Sequence, residues 1–140
     1  MITIDPNVQN IQTENLQAGE QLRGIWEQDP MRIIALLYEK LMLHTGRARS
    51  CLNGWGDQNC QPHIIKAVDV IEKLRITIDT SGQNAMAHNI DDLYNYIGQR
   101  LLSVAHEKNI KTLEEVLSLI HEIRSTIDLI VKKSPNLLQH

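Results

Sequence analysis

The sequence predicts an all-α protein, an antiparallel up-and-down four-helix bundle that follows a mobile N-terminal arm. Apolar residues recur every three to four positions over four long stretches, and Gly, Pro and Asn punctuate the short connections between them. The composition is rich in Leu and Ile and contains no Phe, which favours helices over strands. Because short connections make consecutive helices antiparallel neighbours, a bundle is the expected architecture.

Residues 1–28 differ from the rest of the chain. They are rich in Gln, Asn and Glu, carry more acids than bases and show no sustained apolar period. This pattern predicts a mobile acidic arm, with room for a short extra helix near residues 16–22. Three apolar residues late in the arm, Leu22, Ile25 and Trp26, are candidates for docking onto an apolar groove of the bundle. The alternative interpretation is a frayed terminus.

The first two helices have clear boundary signals. Asp29 is a favoured N-cap and Pro30 suits the first helical position, so the first helix is expected at about residues 30–53, where glycines follow. Pro62 begins the second helix, expected at about 62–80. Its apolar period runs through Val68, Ile71, Leu74 and Ile78.

The third and fourth helices are expected at about 84–107 and 112–133, so the bundle occupies 29–133. Asp91 and Asp92 are read as first-turn carboxylates at the positive end of the third helix, and Thr112 with Glu115 as a capping box for the fourth. Pro135 stops the chain from continuing as a helix, and residues 134–140 are predicted to be a loose tail. The third helix also has more apolar residues than one buried face requires, which favours a central position or a partner surface.

Composition and patterning exclude several functional classes. The net charge of −3 and the scattered basic residues give no footprint for nucleic acid. No apolar run approaches the ~20 residues of a membrane span, and the N-terminus does not have the pattern of a signal peptide. We therefore expect a cytoplasmic protein in which Cys51 and Cys60 are reduced thiols without a functional role.

No catalytic or metal-binding constellation is apparent. None of the six histidines has a Glu three residues before it, so the paired-ligand pattern of a di-metal bundle is missing. Cys60 and His63 have no second ligand pair to complete a zinc site. We expect no metal, no cofactor and no enzymatic activity. A phosphotransfer domain using His106 beside Lys108 is a weak alternative, and the surplus of apolar surface favours a binding protein.

Four segments together resemble the flagellar secretion chaperone family FliS. Residues 29–39 (DPMRIIALLYE) resemble the opening of its first helix, and residues 64–75 (IIKAVDVIEKLR) resemble its second. Residues 93–102 (LYNYIGQRLL) closely resemble its "L-Y-D-Y-M-x-R-R-L" helix, and residues 114–120 (EEVLSLI) its "E-E-V-L-x-L-L" helix. Each segment alone is a weak signal. Their order and spacing over residues 25–131 make the resemblance specific.

The resemblance implies a cytoplasmic chaperone that binds the disordered C-terminal segment of flagellin, prevents premature polymerisation and aids delivery to the flagellar export gate. It leaves open a homodimer of the client-free protein. The competing interpretation places each implied residue in the bundle core. By position in the family's helices, the implied flagellin-binding residues are Ile33, Leu37, Tyr38, Leu74, Ile78, Tyr94, Ile97 and Leu101.

The chain departs from the family pattern in two places. The family usually has a Tyr in the arm about ten residues before the helix-starting Pro, where this chain has Gly19–Leu22. Lys40 replaces the usual Gly after Tyr38 and Glu39, and Lys is the better helix former. The alternative function is a helical interaction module for another flagellar or regulatory protein.

Overall fold

The computed structural model describes residues 29–54 and 59–139, and in them it confirms the predicted all-α four-helix bundle. The predicted arm at residues 1–28 lies outside the described residues. Within the described residues, extended pairing is limited to an isolated β-bridge between Ile78 and Leu138. The helices are α1 (Pro30–Leu52), α2 (Gln61–Ile76), α3 (Ala85–Glu107) and α4 (Ile110–Lys133), followed by a 3-10 turn at Pro135–Leu137.

Charged pairs show that α4 is antiparallel to α1 and to α3. The chain divides into two compact units inside α1, Met1–Ile33 and Ile34–His140, and the contacts described here belong to the second. The first turn of α4 faces the last turns of its two neighbours. The pairs are Arg49 with Glu114, at 3.8 Å, and Arg100 with Glu115, at 3.7 Å.

Helices α1 and α3 lie diagonally across the bundle. The last turn of α2 reaches the early part of α3 through Arg75 and Asp91, so these two helices are antiparallel as well. Between α1 and α3 the buried hydroxyls of Tyr38 and Tyr94 meet at 2.7 Å. The four helices therefore surround one interior, and the two tyrosines occupy its centre.

Short polar side chains begin three of the helices. The Arg32 backbone N–H donates to the Asp29 carboxylate at 3.3 Å, in agreement with the predicted cap of α1. Asn84 accepts from the backbone N–H groups of Met86 and Ala87 at the start of α3. Asn109 accepts from the Lys111 N–H at the start of α4. Each side chain satisfies N–H groups that a helix leaves without an internal partner.

Two predicted helix starts are wrong by one turn or more. Helix α4 begins at Ile110 with Asn109 as its cap, so Thr112 lies inside the helix and is buried. Helix α3 begins at Ala85, which places Asp91 and Asp92 in its second turn. Asparagine caps as well as Thr does, and the earlier cap removes the first-turn explanation for the two aspartates. Asp91 instead pairs with Arg75.

The predicted loose tail is also wrong for residues 135–139. Helix α2 ends at Ile76, short of the expected Thr80, because Thr77 and Asp79 form backbone hydrogen bonds with the C-terminal segment. In that segment Leu137 and Leu138 are buried. A pairing between residues sixty positions apart leaves no periodic signal in either segment.

Cys51 and Cys60 are joined by a disulfide, which corrects the expectation of reduced thiols. The end of α1 and the start of α2 return to the same end of the bundle, and this brings the two Cα atoms to 5.6 Å. That separation is typical of disulfides. Both residues are buried. The expectation rested on the inferred compartment, which says nothing about how close two thiols lie.

Candidate functional site

Most of the residues that the resemblance implied for client binding lie in the bundle core. Ile33 and Leu37 are half-buried in α1. A bound segment cannot touch the other six unless the bundle opens, so the structure corrects their assignment to an accessible groove. Their strong helical period marks them as core positions, because the interior imposes the same period as a groove does. The six buried residues are Tyr38, Leu74, Ile78, Tyr94, Ile97 and Leu101.

The buried tyrosine pair is a structural feature and offers no reactive group. Burial raises the pKa of the Tyr38 and Tyr94 phenols above their usual range, so both are neutral at physiological pH. Each hydroxyl is satisfied by the other. The Arg124 guanidinium lies 5.8 Å from the centre of the Tyr38 ring, which ties α4 to the same cluster.

The seam between α3 and α4 contains an open apolar depression, which we call the α3–α4 seam. Its volume is about 150 Å³. Leu93 and Leu119 are half-buried at its surface, and Tyr96, one turn after Leu93, is 49% exposed. The lining residues are Ile90, Leu93, Leu119, Glu122, Ile123, Thr126 and Ile127.

The size of this depression suits a side chain from a partner protein. Small-molecule sites are typically ~300–1,000 Å³ and enclose most of their ligand. A shallow cleft between two helices accepts the apolar side chains that recur along one face of a bound helix. The α3–α4 seam is therefore the best candidate for an interaction site among the described residues.

Sequence reasoning missed this seam. Leu93 was read as one member of a core stripe, and Leu119 was not singled out. The available signal was that Leu119 lies one position before Ile120 and falls at the edge of the buried stripe of α4. Its meaning depends on which helix packs beside α4, and the chain order alone does not show how deeply the two helices interlock.

Other exposed apolar residues are distributed over all four helices. Leu36 and Leu43 are seven residues apart and share a face of α1, and Ile65 and Ile76 share a face of α2. This scatter extends the apolar surface beyond the α3–α4 seam. The large exposed apolar residues are Leu36, Leu43, Ile65, Ile76, Met86, Tyr96, Leu102 and Leu129.

The opposite side of α3 is closed by charged groups. The Arg75 Nε and Nη2 atoms donate to the two Asp91 carboxylate oxygens at 2.9 and 3.2 Å, and Nη1 donates to Asn95 at 3.3 Å. Glu72 accepts a further bond from Nη1. The hydrogen bond to Asp91 raises the pKa of Arg75 above its usual range. This clamp leaves no apolar opening between the middle of α3 and the end of α2.

A second cavity, of about 230 Å³, lies where α2 begins and α3 ends. Its lining is more polar than that of the α3–α4 seam and includes Asn59, Gln61 and Lys108. Nearby on the α1–α2 side, the Nδ1 atoms of His44 and His63 are buried without a hydrogen-bond partner. Burial, followed by the positive charges of Lys66 and Arg47, lowers the pKa of His44.

The described part of the chain holds no group of three His, Cys, Asp or Glu side chains placed to bind a metal ion. The predicted docking residues Leu22, Ile25 and Trp26 lie outside the described residues. In residues 29–54 and 59–139, no helix is long and apolar enough to cross a membrane.

Comparison with known proteins identifies relatives of the chain. A family model described as flagellar protein FliS matches residues 12–134. The chain is 31% identical over 72 residues to the flagellar secretion chaperone FliS of Vibrio cholerae, a match covering 51% of this chain and 53% of that protein. Identity to the Escherichia coli flagellar secretion chaperone FliS is 25% over 93 residues, covering 66% and 68% of the two chains.

A third relative is the flagellar secretion chaperone FliSB of Pseudomonas aeruginosa, 29% identical over 102 residues, covering 71% of this chain and 79% of that protein. The aligned stretch spans about half the length of the Vibrio cholerae relative. All three relatives are named as chaperones, and none as an enzyme.

Proposed function

Since the chain belongs to the FliS family of flagellar proteins, we propose that it is a cytoplasmic export chaperone that binds the disordered C-terminal segment of flagellin. Bound flagellin is kept from polymerising early and is delivered to the flagellar export apparatus. The observation that carries the proposal is the family match over residues 12–134, joined to an apolar seam on a bundle of the expected architecture.

The physical properties of the bundle suit a disordered client. A segment that folds on binding wraps a large surface and forms short amphipathic helices on apolar clefts. The α3–α4 seam supplies one such cleft, lined by Leu93, Leu119 and Ile123. The exposed apolar residues on the other helices allow the client to continue around the bundle.

Chaperone action follows from this coverage. A client segment whose apolar face lies against the bundle cannot present that face to another client molecule. Binding that costs the client its conformational freedom is weaker for a given area than binding of a preformed partner, and this allows release at the export apparatus.

Isothermal titration with the C-terminal ~50 residues of the flagellin from the same genome tests the proposal, since such a segment buries on the order of 1,000–3,000 Å². We expect a saturable isotherm and a negative heat-capacity change. Binding of another flagellar or regulatory protein, without any heat from flagellin, would replace the proposal with the interaction-module alternative.

Two variants of the same helix locate the site. Leu93 lines the α3–α4 seam, and Leu102 lies nine residues later, on the opposite side of α3, where it is 50% exposed. Leu93→Asp is expected to weaken flagellin binding about tenfold, or ~1.4 kcal/mol. Leu102→Asp adds the same charge and should bind as the wild type does. Equal losses would contradict the placement of the site at this seam.

The N-terminal arm is tested in the same titration. If Leu22, Ile25 and Trp26 dock on the client's groove, deletion of residues 1–28 should tighten flagellin binding by removing an intramolecular competitor. Unchanged affinity would assign the arm another role.

A further inference from the structure

The C-terminal end of the chain is folded back onto the bundle as a short strap, which we define as residues 135–139. Pro135–Leu137 form a 3-10 turn, and Leu138 forms an antiparallel β-bridge with Ile78. Leu137 is fully buried and Leu138 is 4% exposed. The turn redirects the chain between the two leucines, so both side chains point into the protein.

A small set of interactions holds the strap. The Asp79 backbone N–H donates to the Leu137 carbonyl at 2.9 Å, and the Gln139 N–H donates to the Thr77 carbonyl at 2.9 Å. The Gln139 side-chain amide donates to the Ile78 carbonyl at 3.2 Å. These bonds are the pattern by which an extended peptide adds to a sheet edge, and here they join the α2–α3 connection to the strap.

The strap can leave without disturbing the helices. It follows the last helix and its bonds involve Thr77, Ile78 and Asp79, so its release breaks no hydrogen bond inside α1–α4. Ile78, now 2% exposed, would become accessible two residues from Ile76, which is already 72% exposed. Release would therefore create an apolar cleft with free backbone donor and acceptor groups beside it.

We propose that the α2–α3 connection beneath the strap is a second docking site for the client, and that the strap is its intramolecular occupant in the client-free protein. The strap defines the ligand it replaces, which is an extended segment with two adjacent bulky apolar residues and unpaired backbone groups on either side. The identity of the occupant rests on the proposed function. The existence of a displaceable strap does not.

The first experiment opens the strap in the full chain. Leu137→Asp/Leu138→Asp should release it, and a fluorescein-labelled peptide of residues 133–140 (KSPNLLQH) should then bind in trans. The wild type should not bind the peptide, because its own strap has an effective concentration in the millimolar range. A peptide with both leucines changed to Asp is the matched control. If the opened variant melts cooperatively and does not bind the wild-type peptide, the proposal is overturned.

Hydrogen exchange on the wild type keeps the proposal testable if that variant does not fold. The amides of Asp79 and Gln139 should exchange at least tenfold faster than those of Ile97 and Leu101, through an opening that leaves α3 protected. Exchange of all four amides at the same rate would mean that the strap leaves only when the bundle unfolds, and would overturn the proposal.

A covalent lock tests whether the client uses this site. Ile78 and Leu138 are directly opposite residues without mutual backbone hydrogen bonds, a pairing close enough for a disulfide. Ile78→Cys/Leu138→Cys, made with Cys51→Ser/Cys60→Ser, should weaken flagellin binding at least tenfold when oxidised. Dithiothreitol, which reduces the engineered disulfide to two thiols and is itself oxidised to a cyclic disulfide, should restore it.

The lock also separates the two proposals. Equal flagellin affinity with the strap locked and unlocked would overturn the second docking site and leave the chaperone function intact. Absence of flagellin binding by the wild type would overturn the chaperone function, and peptide binding in trans would still decide whether the strap is displaceable.

Discussion

Helix α3 has two neighbours, and its two sides are closed in different ways. Towards α2, Asp91 receives both branches of the Arg75 guanidinium, and the contact is polar. Towards α4, Leu93 and Leu119 remain half-exposed around an open depression. A polar clamp is stable in water and leaves nothing for a partner to cover. An apolar seam gains ~25 cal/mol per Å² when a partner removes it from water.

The difference arises over two positions of the sequence. Asp91 and Leu93 are about 200° apart around the helix, so one faces α2 and the other faces α4. The comparison teaches that an apolar surplus on a helix is informative only when its side is known. Five measurements break or sharpen the comparison, in order of decreasing effect.

The largest effect is expected in the core that supports both sides of α3. Ile97 is fully buried, so Ile97→Ala should lower the free energy of unfolding by about 2–5 kcal/mol. Urea denaturation followed by circular dichroism measures this loss. Leu102→Ala, at the surface of the same helix, should change it by less than ~0.5 kcal/mol. A loss that small at Ile97 would return this residue to the list of accessible binding residues.

The buried tyrosine pair is expected to show a smaller and non-additive effect. Tyr94→Phe leaves the Tyr38 hydroxyl without its partner at 2.7 Å and should cost about 1–3 kcal/mol of stability. The double variant Tyr38→Phe/Tyr94→Phe leaves no unpaired hydroxyl and should cost less than the sum of the two single changes. Additive losses in this double-mutant cycle would argue against a hydrogen bond between the two residues.

The α3–α4 seam should respond in binding more than in stability. Leu119→Asp places a charge in the depression and should weaken flagellin binding about tenfold, or ~1.4 kcal/mol, in the titration described above. Ser125→Asp adds the same charge to an exposed position of α4 outside the seam lining and serves as the control. An equal loss in both variants would indicate a general electrostatic effect on the client.

The α2–α3 side should respond in stability and leave binding unchanged. Asp91→Asn removes the charge that pairs with Arg75, and the partly exposed pair is worth about 1 kcal/mol. The difference from the wild type should shrink at ~1 M salt, where the Debye length is short. Weaker flagellin binding by Asp91→Asn would remove the functional distinction between the two sides of α3.

The smallest effect concerns a third boundary, between α1 and α2. The pKa of His44 lies below its usual value because of burial and the charges of Lys66 and Arg47. A pKa that is lower in the folded state means that the unfolded chain binds the proton more readily, so stability should fall as the pH drops below about 6.5. His44→Gln should flatten this part of the pH–stability curve. His63 faces the same group, and a slope unchanged in His44→Gln would assign the effect elsewhere.

Much of the fold could be predicted from the chain because its signals are local. Asp29 with Pro30 marked the start of α1, and the Leu and Ile period located four helices in the right order. The same period was misread as a binding surface at Tyr94, Ile97 and Leu101, which the structure buries. Period reports that a residue faces an apolar environment, and it does not distinguish the interior of the protein from a partner.

The features that escaped prediction depend on residues far apart in sequence. The bridge of Leu138 to Ile78 and the pairing of Arg75 with Asp91 require the helices to be in place before the side chains meet. The disulfide between Cys51 and Cys60 depends on the separation that the α1–α2 turn imposes. Short polar residues signalled helix starts, but the choice between Asn109 and Thr112 was settled by which backbone N–H groups are free.

The sequence by itself determined the helical class, the number and order of the helices, and the family resemblance, because hydrogen bonding and apolar period within a helix involve residues three or four positions apart. Tertiary structure alone decided which apolar residues are core, which line the α3–α4 seam, and where the C-terminal strap lies. Those properties are set by which helices pack together and how closely, and burial is a property of the assembled bundle and not of any one segment.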